Sequence, residues 1–520
     1  MMEIHNEHVI KGKKNIGTFL FSRTFVFILM ILSQLALILL LSYNMSVSKT
    51  INQFLLVLQF VLVVYIVNEK SDPTMKLIWV VFIMFLPALG TLMYVYVKIQ
   101  PGAFFLRKKL EHIDLKSERY LPMKREVYQD LQIQDKQTAS LSRYIYKNNG
   151  LPVYKNTKVS YFNCGEAKFE ALVRQLEEAQ DFIFLEYFII EEGKFWNTVL
   201  DILKRKAQEG VEVRVMYDGL CSLTKLEIGY FKKLRKMGIQ SKPFAPARPF
   251  FTTQQNNRDH RKILVIDGKV AFTGGINLAD EYVNINSKFG YWKDTAVMLE
   301  GEAAQSFTLM FLQMWNVSEK TIGNYDRYLN VSFEPMKSDG YVIGYGDDPF
   351  SEEHIGESVY LQIINTATRY LHIVSPYLVL DNVMITALIM AAKRGVDVKI
   401  VLPGIPDKAY AFCVARTYYD ELISAGIEIY EFTPGFTHAK MFISDDEKAT
   451  VGTINLDYRS LFLHFENGCF IFRNEVIYEM EKDYQEMLSQ SRKISLIECK
   501  NRPILYKVCG KLLRLVAPLM

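Results

Sequence analysis

Apolar residues are concentrated at the start of this chain. Three uncharged runs stand at 24–42, 51–67 and 77–97, each near the roughly 20 residues that cross a bilayer as a helix. The pattern predicts an anchor region over residues 1–100 with two or three transmembrane helices. The first run follows Lys11, Lys13 and Lys14 as a secretory signal would, but it is longer than a signal core, which favours an anchor. Pro87 and Gly90 interrupt the third run. Membrane helices tolerate such breaks where neighbours re-satisfy the freed backbone groups. Lys and Arg flanking the runs divide six against five between alternate sides, so orientation stays open.

Beyond residue 100 the pattern changes. Residues 101–139 read as a basic linker, and its Arg107-Lys108-Lys109 cluster suits either anionic headgroups or plain solvent. From residue 140 apolar stretches of strand length alternate with helical periodicity, and the order repeats. A strand over 182–190, a helix over 196–209, Gly210 and a strand over 211–217 are matched by 371–380, 383–394, Gly395 and 396–403. The joints read Glu-Gly-Val-Glu-Val-Arg-Val-Met (209–216) and Arg-Gly-Val-Asp-Val-Lys-Ile-Val (394–401). Short helices at 230–237 and 418–425 lead to a further strand in each copy. Such alternation predicts α/β units with a mostly parallel sheet. The expected units are 140–330 and 331–498, packed face to face around one site. A tail over 499–520 mixes Lys507, Lys511 and Arg514 with leucines, a pattern that fits a membrane interface or docking onto the core.

Each copy carries a histidine motif with the spacing H-x-K-x4-D-x6-G-x2-N. The first runs from His260 and Lys262 through Asp267 to Asn277, the second from His438 and Lys440 through Asp445 to Asn455. Residues i and i+2 of a strand share a face, so each histidine lies beside its lysine. Lysine neutralises phosphate oxygens and an asparagine amide can donate to them, which makes Asn277 and Asn455 candidate phosphate-binding residues. One imidazole is suited to attack phosphorus, and the other, protonated, to supply the departing alcohol with a proton. Asp267 and Asp445 belong to the candidate catalytic set, but the Gly-Lys and Asp-Glu steps after them suit a structural role in a hairpin better than proton transfer. Each imidazole needs an acceptor for its far nitrogen. Asp294 and Glu466, each opening an apolar strand downstream in its own copy, are the expected orienting carboxylates.

Composition narrows the partners. A net charge of +4 over 520 residues is far from that of a nucleic-acid binder, and six scattered cysteines show no metal-ligand spacing. No metal or other cofactor and no nucleic acid is expected.

The two motifs resemble the paired signature of the phospholipase D superfamily over about residues 144–498. That resemblance implies two duplicated phospholipase D-like α/β/α units sharing one active site, preceded by the transmembrane helices. It also implies a phosphohistidine intermediate without a metal, with His260 favoured as nucleophile. The flanks are similar to those of bacterial cardiolipin synthases: Asn-Asn-Arg-Asp-His-Arg-Lys (256–262), Gly-Gly-Ile-Asn-Leu-Ala-Asp (274–280), Gly-Thr-Ile-Asn-Leu-Asp-Tyr-Arg-Ser (452–460) and the ending Arg-Leu-Val-Ala-Pro-Leu-Met. This narrower resemblance implies an anionic phospholipid substrate, phosphatidylglycerol. Transfer of a phosphatidyl group between two such molecules would give cardiolipin and glycerol. A multi-pass location in a bacterial cell membrane follows from the same resemblance, with the catalytic units on the cytoplasmic side. A hydrolase that hands the intermediate to water, or a transferase with another donor or alcohol, would share every catalytic residue.

Overall fold

The computed structural model describes residues 45–98, 101–221, 225–245, 257–286, 288–336 and 338–519. The apolar run at 24–42 and Asn256 lie outside them. The described residues form two compact units, one up to Ala103 and one from Phe104 onward.

The first unit holds the helices Met45–Asn68, Pro73–Phe85 and Pro87–Lys98. Asp72 caps the second, accepting hydrogen bonds from the backbone N–H of Thr74 (2.9 Å) and Met75 (3.0 Å). The helices pack through Ile66, Ile83 and Tyr94, and Gly90 lets two backbones approach, since a Cβ there would lie 2.7 Å from the Ile83 Cα. Among the described residues no helix is long and apolar enough to cross a membrane. This corrects the expected transmembrane helices. Proline has no N–H and its ring clashes with the preceding turn, so the run at 77–97 is cut at Leu86–Pro87 into helices of 13 and 12 residues. At 1.5 Å per residue these span about 20 Å or less. The run at 51–67 carries Asn52, Gln53 and Gln59, and the Gln59 amide donates to the Ile83 carbonyl at 2.8 Å.

The second unit is built on two sheets. Its first strands are β1 (Val153–Tyr154), β2 (Thr157–Phe162), β3 (Phe182–Tyr187), β4 (Glu212–Asp218), β5 (Gln240–Phe244), β6 (Lys262–Ile266), β7 (Val270–Gly274), β8 (Tyr291–Lys293) and β9 (Ala296–Gly301). There follow β10 (Tyr341–Asp347), β11 (Tyr370–Val374), β12 (Asp397–Pro403), β13 (Glu428–Phe432), β14 (Gly435–Thr437), β15 (Met441–Ser444), β16 (Lys448–Gly452), β17 (Glu466–Phe472) and β18 (Ser491–Lys493). One sheet has the order β2-β9-β7-β6-β3-β4-β5, the other β1-β10-β17-β16-β15-β11-β12-β13-β18. The seven strands of the first match the inner seven of the second one for one, in order and direction.

The sheets are mixed, not mostly parallel. Among the described residues of these two sheets, only β3-β4-β5 and β11-β12-β13 run parallel, because each histidine motif folds back through a tight turn into a hairpin, β6-β7 or β15-β16. The parallel strands keep their crossover helices. In Lys194–Gln208 the residues Phe195, Trp196, Val199 and Leu203 fall on one face and are fully buried. Gly210 (φ 97°) and its counterpart Gly395 (φ 93°) end the two crossover helices in the left-handed conformation that glycine accepts at least cost. The helix Ala304–Val317, nearly all buried, packs on β3, β6, β7 and β9 and reaches β10. Val476–Ser489 packs on β13, β15 and β18 and reaches β2. Strand β1 pairs with β10, so residues 153–154 lie in the second sheet.

Asp267 and Asp445 sit in the hairpin turns with φ of 52° and 58°. Each carboxylate gathers three backbone N–H groups at the start of the neighbouring strand: Gln180, Asp181 and Phe182 for the first (2.8–2.9 Å), Thr368, Arg369 and Tyr370 for the second (2.7–2.9 Å). Burial would raise the Asp445 carboxyl, but these donors outweigh it and hold it below its usual range. Replacing either aspartate with Ala is expected to lower the unfolding free energy by about 1–3 kcal/mol at neutral pH, read by denaturant titration. A folded pKa below the unfolded one gives stability that is present above about pH 4 and lost as acid protonates the folded group. The Asp445→Ala deficit should therefore shrink in acid; a deficit that persists unchanged there contradicts this role.

Candidate active site

The histidine motifs meet where the two halves of the second unit join. The halves are stitched by short parallel backbone pairings, β8 with β14 and Asp259 with Phe465. Through them the His260 N–H donates to the Phe465 carbonyl (2.9 Å), and the His438 N–H to the Lys293 carbonyl (2.6 Å). Each of those carbonyls belongs to the residue just before a carboxylate. The pairing therefore sets Glu466 against His260 and Asp294 against His438.

The imidazole–carboxylate pairs consequently cross between the copies. Nδ1 of His260 lies 2.9 Å from both Glu466 oxygens, and Nδ1 of His438 lies 2.7 Å from Asp294 Oδ2. This corrects the expectation that each copy orients its own histidine; the inter-half backbone pairing decides the matter. Within the second copy, Thr453 donates its hydroxyl proton to Glu466. Aromatic groups also cross: Tyr282 and Trp292 of the first copy pack their rings on His438 at 5.5 and 5.3 Å between centroids. Gly275 is required by this closeness, because a Cβ there would fall 2.1 Å from Asp294 Oδ1.

Lys262 and Lys440 are almost fully buried, and each donates to the carbonyl of its own motif's histidine, at 2.6 Å for Lys262. Burial pushes the Lys262 ammonium down to about 7 and the Lys440 ammonium to about 8. Burial, with Lys262 beside it, holds the His260 imidazole far below its usual range, and burial with Lys440 takes His438 to about 4 against the pull of Asp294. Burial would raise Asp294 too, but His438 and Lys440 outweigh it and keep it ionised; burial raises Glu466, with Lys262 opposing. Cations crowded into a desolvated space favour losing protons, and a phosphate anion placed among them reverses that preference.

Asn277 and Asn455 are buried. The Asn277 amide donates to the Tyr282 hydroxyl (2.8 Å) and its oxygen accepts from the Ile189 N–H; the Asn455 amide donates to Ser460 (3.1 Å). Each asparagine thus binds a hydroxyl five residues on. Asp267 and Asp445 are not brought here, since their strands carry them to the far end of the hairpins. Arg261 turns away and donates to the carbonyls of Glu466 (3.2 Å) and Asp347 (3.3 Å).

His464 was not identified from sequence. Its ring lies 5.8 Å from that of His260, its Nδ1 lies 3.8 Å from Glu466, and neither ring nitrogen has a hydrogen bond. Its one signal is the i−2 relation to Glu466. Among the described residues, His260, His464 and Glu466 alone have ligand atoms close enough for a metal, within 4.8 Å of one another. The same Nδ1 and carboxylate form the imidazole pair, and Lys262 and Lys440 repel a cation. The donor set suits an anion better.

Comparison with known proteins identifies the family. The family model "Cardiolipin synthase, PLD-like domain" matches residues 172–315 and 360–488, and a phospholipase D-nuclease N-terminal model matches 57–97. An uncharacterized protein of Streptococcus mutans is 49% identical over 458 residues, 88% of this chain and 99% of its own. Cardiolipin synthases of Alkalihalophilus pseudofirmus and Geobacillus kaustophilus are 34% and 35% identical, over 87% and 73% of this chain and 90% and 76% of theirs. Among solved structures, the phosphatidylserine synthase of Haemophilus influenzae shares the fold, with a TM-score of 0.54 at 15% identity over 74% of this chain and 100% of that one.

Tungstate, a tetrahedral oxyanion, should bind between the lysines with proton uptake. Their folded values near 7 and 8 rise when the anion arrives, so affinity is expected to fall as pH climbs through that window. Calorimetry in buffers of different ionisation enthalpy measures it, and an affinity flat from pH 6.5 to 9 refutes it.

Proposed function

The chain belongs to the cardiolipin synthase family of phospholipase D-like enzymes, and from that premise we propose that it joins two phosphatidylglycerol molecules into cardiolipin and glycerol. The family acts as phosphatidyltransferases, with a phospholipid substrate and membrane association. The observation that carries the reading for this chain is the pair of buried imidazoles, each held by a carboxylate of the other copy, with two buried lysines beside them.

We assign His260 as nucleophile. Its neutral ring presents Nε2 to phosphorus while Glu466 holds the Nδ1 side. As the new N–P bond forms, the bond from phosphorus to the glycerol oxygen breaks, and His438, protonated in the bound state beside ionised Asp294, gives that oxygen its proton. Lys262 and Lys440 balance the charge that gathers on the phosphoryl oxygens. A second phosphatidylglycerol then enters. Its hydroxyl loses its proton to His438 and attacks phosphorus, and the N–P bond breaks to free His260. Asn277 and Asn455 position the groups around the phosphate, and Asp267 and Asp445 hold the hairpins that carry the motifs. No nucleotide is consumed, because the second alcohol replaces the first. Six unpaired cysteines suit a catalytic unit on the reducing, cytoplasmic side.

Full-length protein given labelled phosphatidylglycerol in detergent micelles should form cardiolipin and glycerol in equal amounts; phosphatidic acid in their place would assign a hydrolase. His260→Ala and His438→Ala should each lower turnover by about 10³-fold or more. In His438→Ala the trapped phosphatidyl group should map to the His260 peptide, and label on another histidine overturns the assignment. Gly275→Ala, by pushing Asp294 from His438, should cost about 10²-fold in kcat with the fold intact by circular dichroism.

A further inference from the structure

The last helix, Ile504–Leu515, is seated on the protein by its narrow side. Gly510 makes the closest approach, where a Cβ would stand 2.8 Å from Thr417 Cγ2 and 3.1 Å from the Cys413 carbonyl. Arg502 donates to the Arg416 carbonyl (3.0 Å), and the Arg514 guanidinium stacks on Tyr418 at 4.1 Å. The opposite face is apolar and points outward. Ile504, Leu505, Val508, Leu512, Leu515 and Val516 are exposed by 80, 76, 47, 59, 64 and 42%. At about 100° per residue these six share one arc of about 120°. Lys507 and Lys511 border that arc on one edge, and the helix contains no acidic residue.

This inverts the usual order, in which an amphipathic helix turns its apolar stripe to the core. We propose that the exposed face of this helix docks on an anionic lipid bilayer, with the leucine and isoleucine side chains at the acyl boundary and the lysines on the headgroups. A second copy of the chain fits less well, because an unbroken cationic edge would meet its own like charge. The helix packs on Ala409–Ala415, which follows β12, and the turn Ala517–Leu519 packs on Tyr458–Phe462, whose Ser460 holds Asn455. Docking would therefore hold the second motif's supporting elements against the lipid surface. The proposal rests on exposure and charge and stands apart from the transfer reaction.

Cys509 is the one exposed cysteine of the six and adjoins the apolar arc. A solvatochromic fluorophore on Cys509 of the full chain should shift to the blue on mixing with phosphatidylglycerol vesicles. Its quenching by aqueous iodide should fall several-fold, and both effects should be smaller with phosphatidylcholine. Leu505→Asp combined with Leu512→Asp, both at exposed positions, should abolish the shift while turnover in detergent micelles, which tests the reaction separately, is unchanged. A label that stays open to iodide while the protein sediments with vesicles overturns the proposal. So does failure to bind vesicles, or a lipid-free shift that grows with protein concentration, which would assign the face to a second copy.

Discussion

The exchange of carboxylates between the two halves is the constraint on which the rest of the site depends. A buried imidazole must be told which nitrogen carries its proton, and here the instruction comes from the other copy. Neither half contains a complete site. The backbone pairings at Asp259–Phe465 and β8–β14 fix the carboxylates only because the residue before each is held by the opposing histidine's N–H. The hydrogen bond from Asn467 to Thr273, 2.6 Å long and buried, fastens the central hairpins in the same joint.

The site concentrates groups that carry or can take positive charge in a desolvated space. Lys262, Lys440 and two imidazoles stand in a space from which most water is excluded, with two carboxylates set behind the imidazoles. A single anion among them relieves both the desolvation and the mutual repulsion. Binding and catalysis thus draw on the same arrangement: the charges are already in place, and the transferring phosphoryl group meets donors that need no reorganisation.

Much of this was legible in the sequence, and the limits have physical causes. The duplication was visible at Gly210 and Gly395 because both helices must stop in a left-handed residue before a parallel strand. The two motifs were visible because alternation puts histidine and lysine on one face. Sheet polarity was not, since the hairpin turns after Asp267 and Asp445 outweigh the strand–helix rhythm around them. The crossed carboxylates could not be read, because sequence distance favours the partner in the same copy while the interface selects the other. His464 escaped for the same reason: its neighbours come together only when the halves join. The N-terminal apolar runs suggested spans by length, but Pro87 divides the last of them into two short helices.

The crossed pairs also bear on how the two copies can diverge. They are not alike in detail: the shorter Asp294 reaches its imidazole with one oxygen, whereas Glu466 offers two. A change in one copy's carboxylate is felt first at the other copy's histidine. Selection therefore acts on the copies jointly, and each preserves in the other what it cannot use itself. Loss of either carboxylate would leave the other copy's imidazole without its partner, so neither copy can give up that residue for its own sake alone.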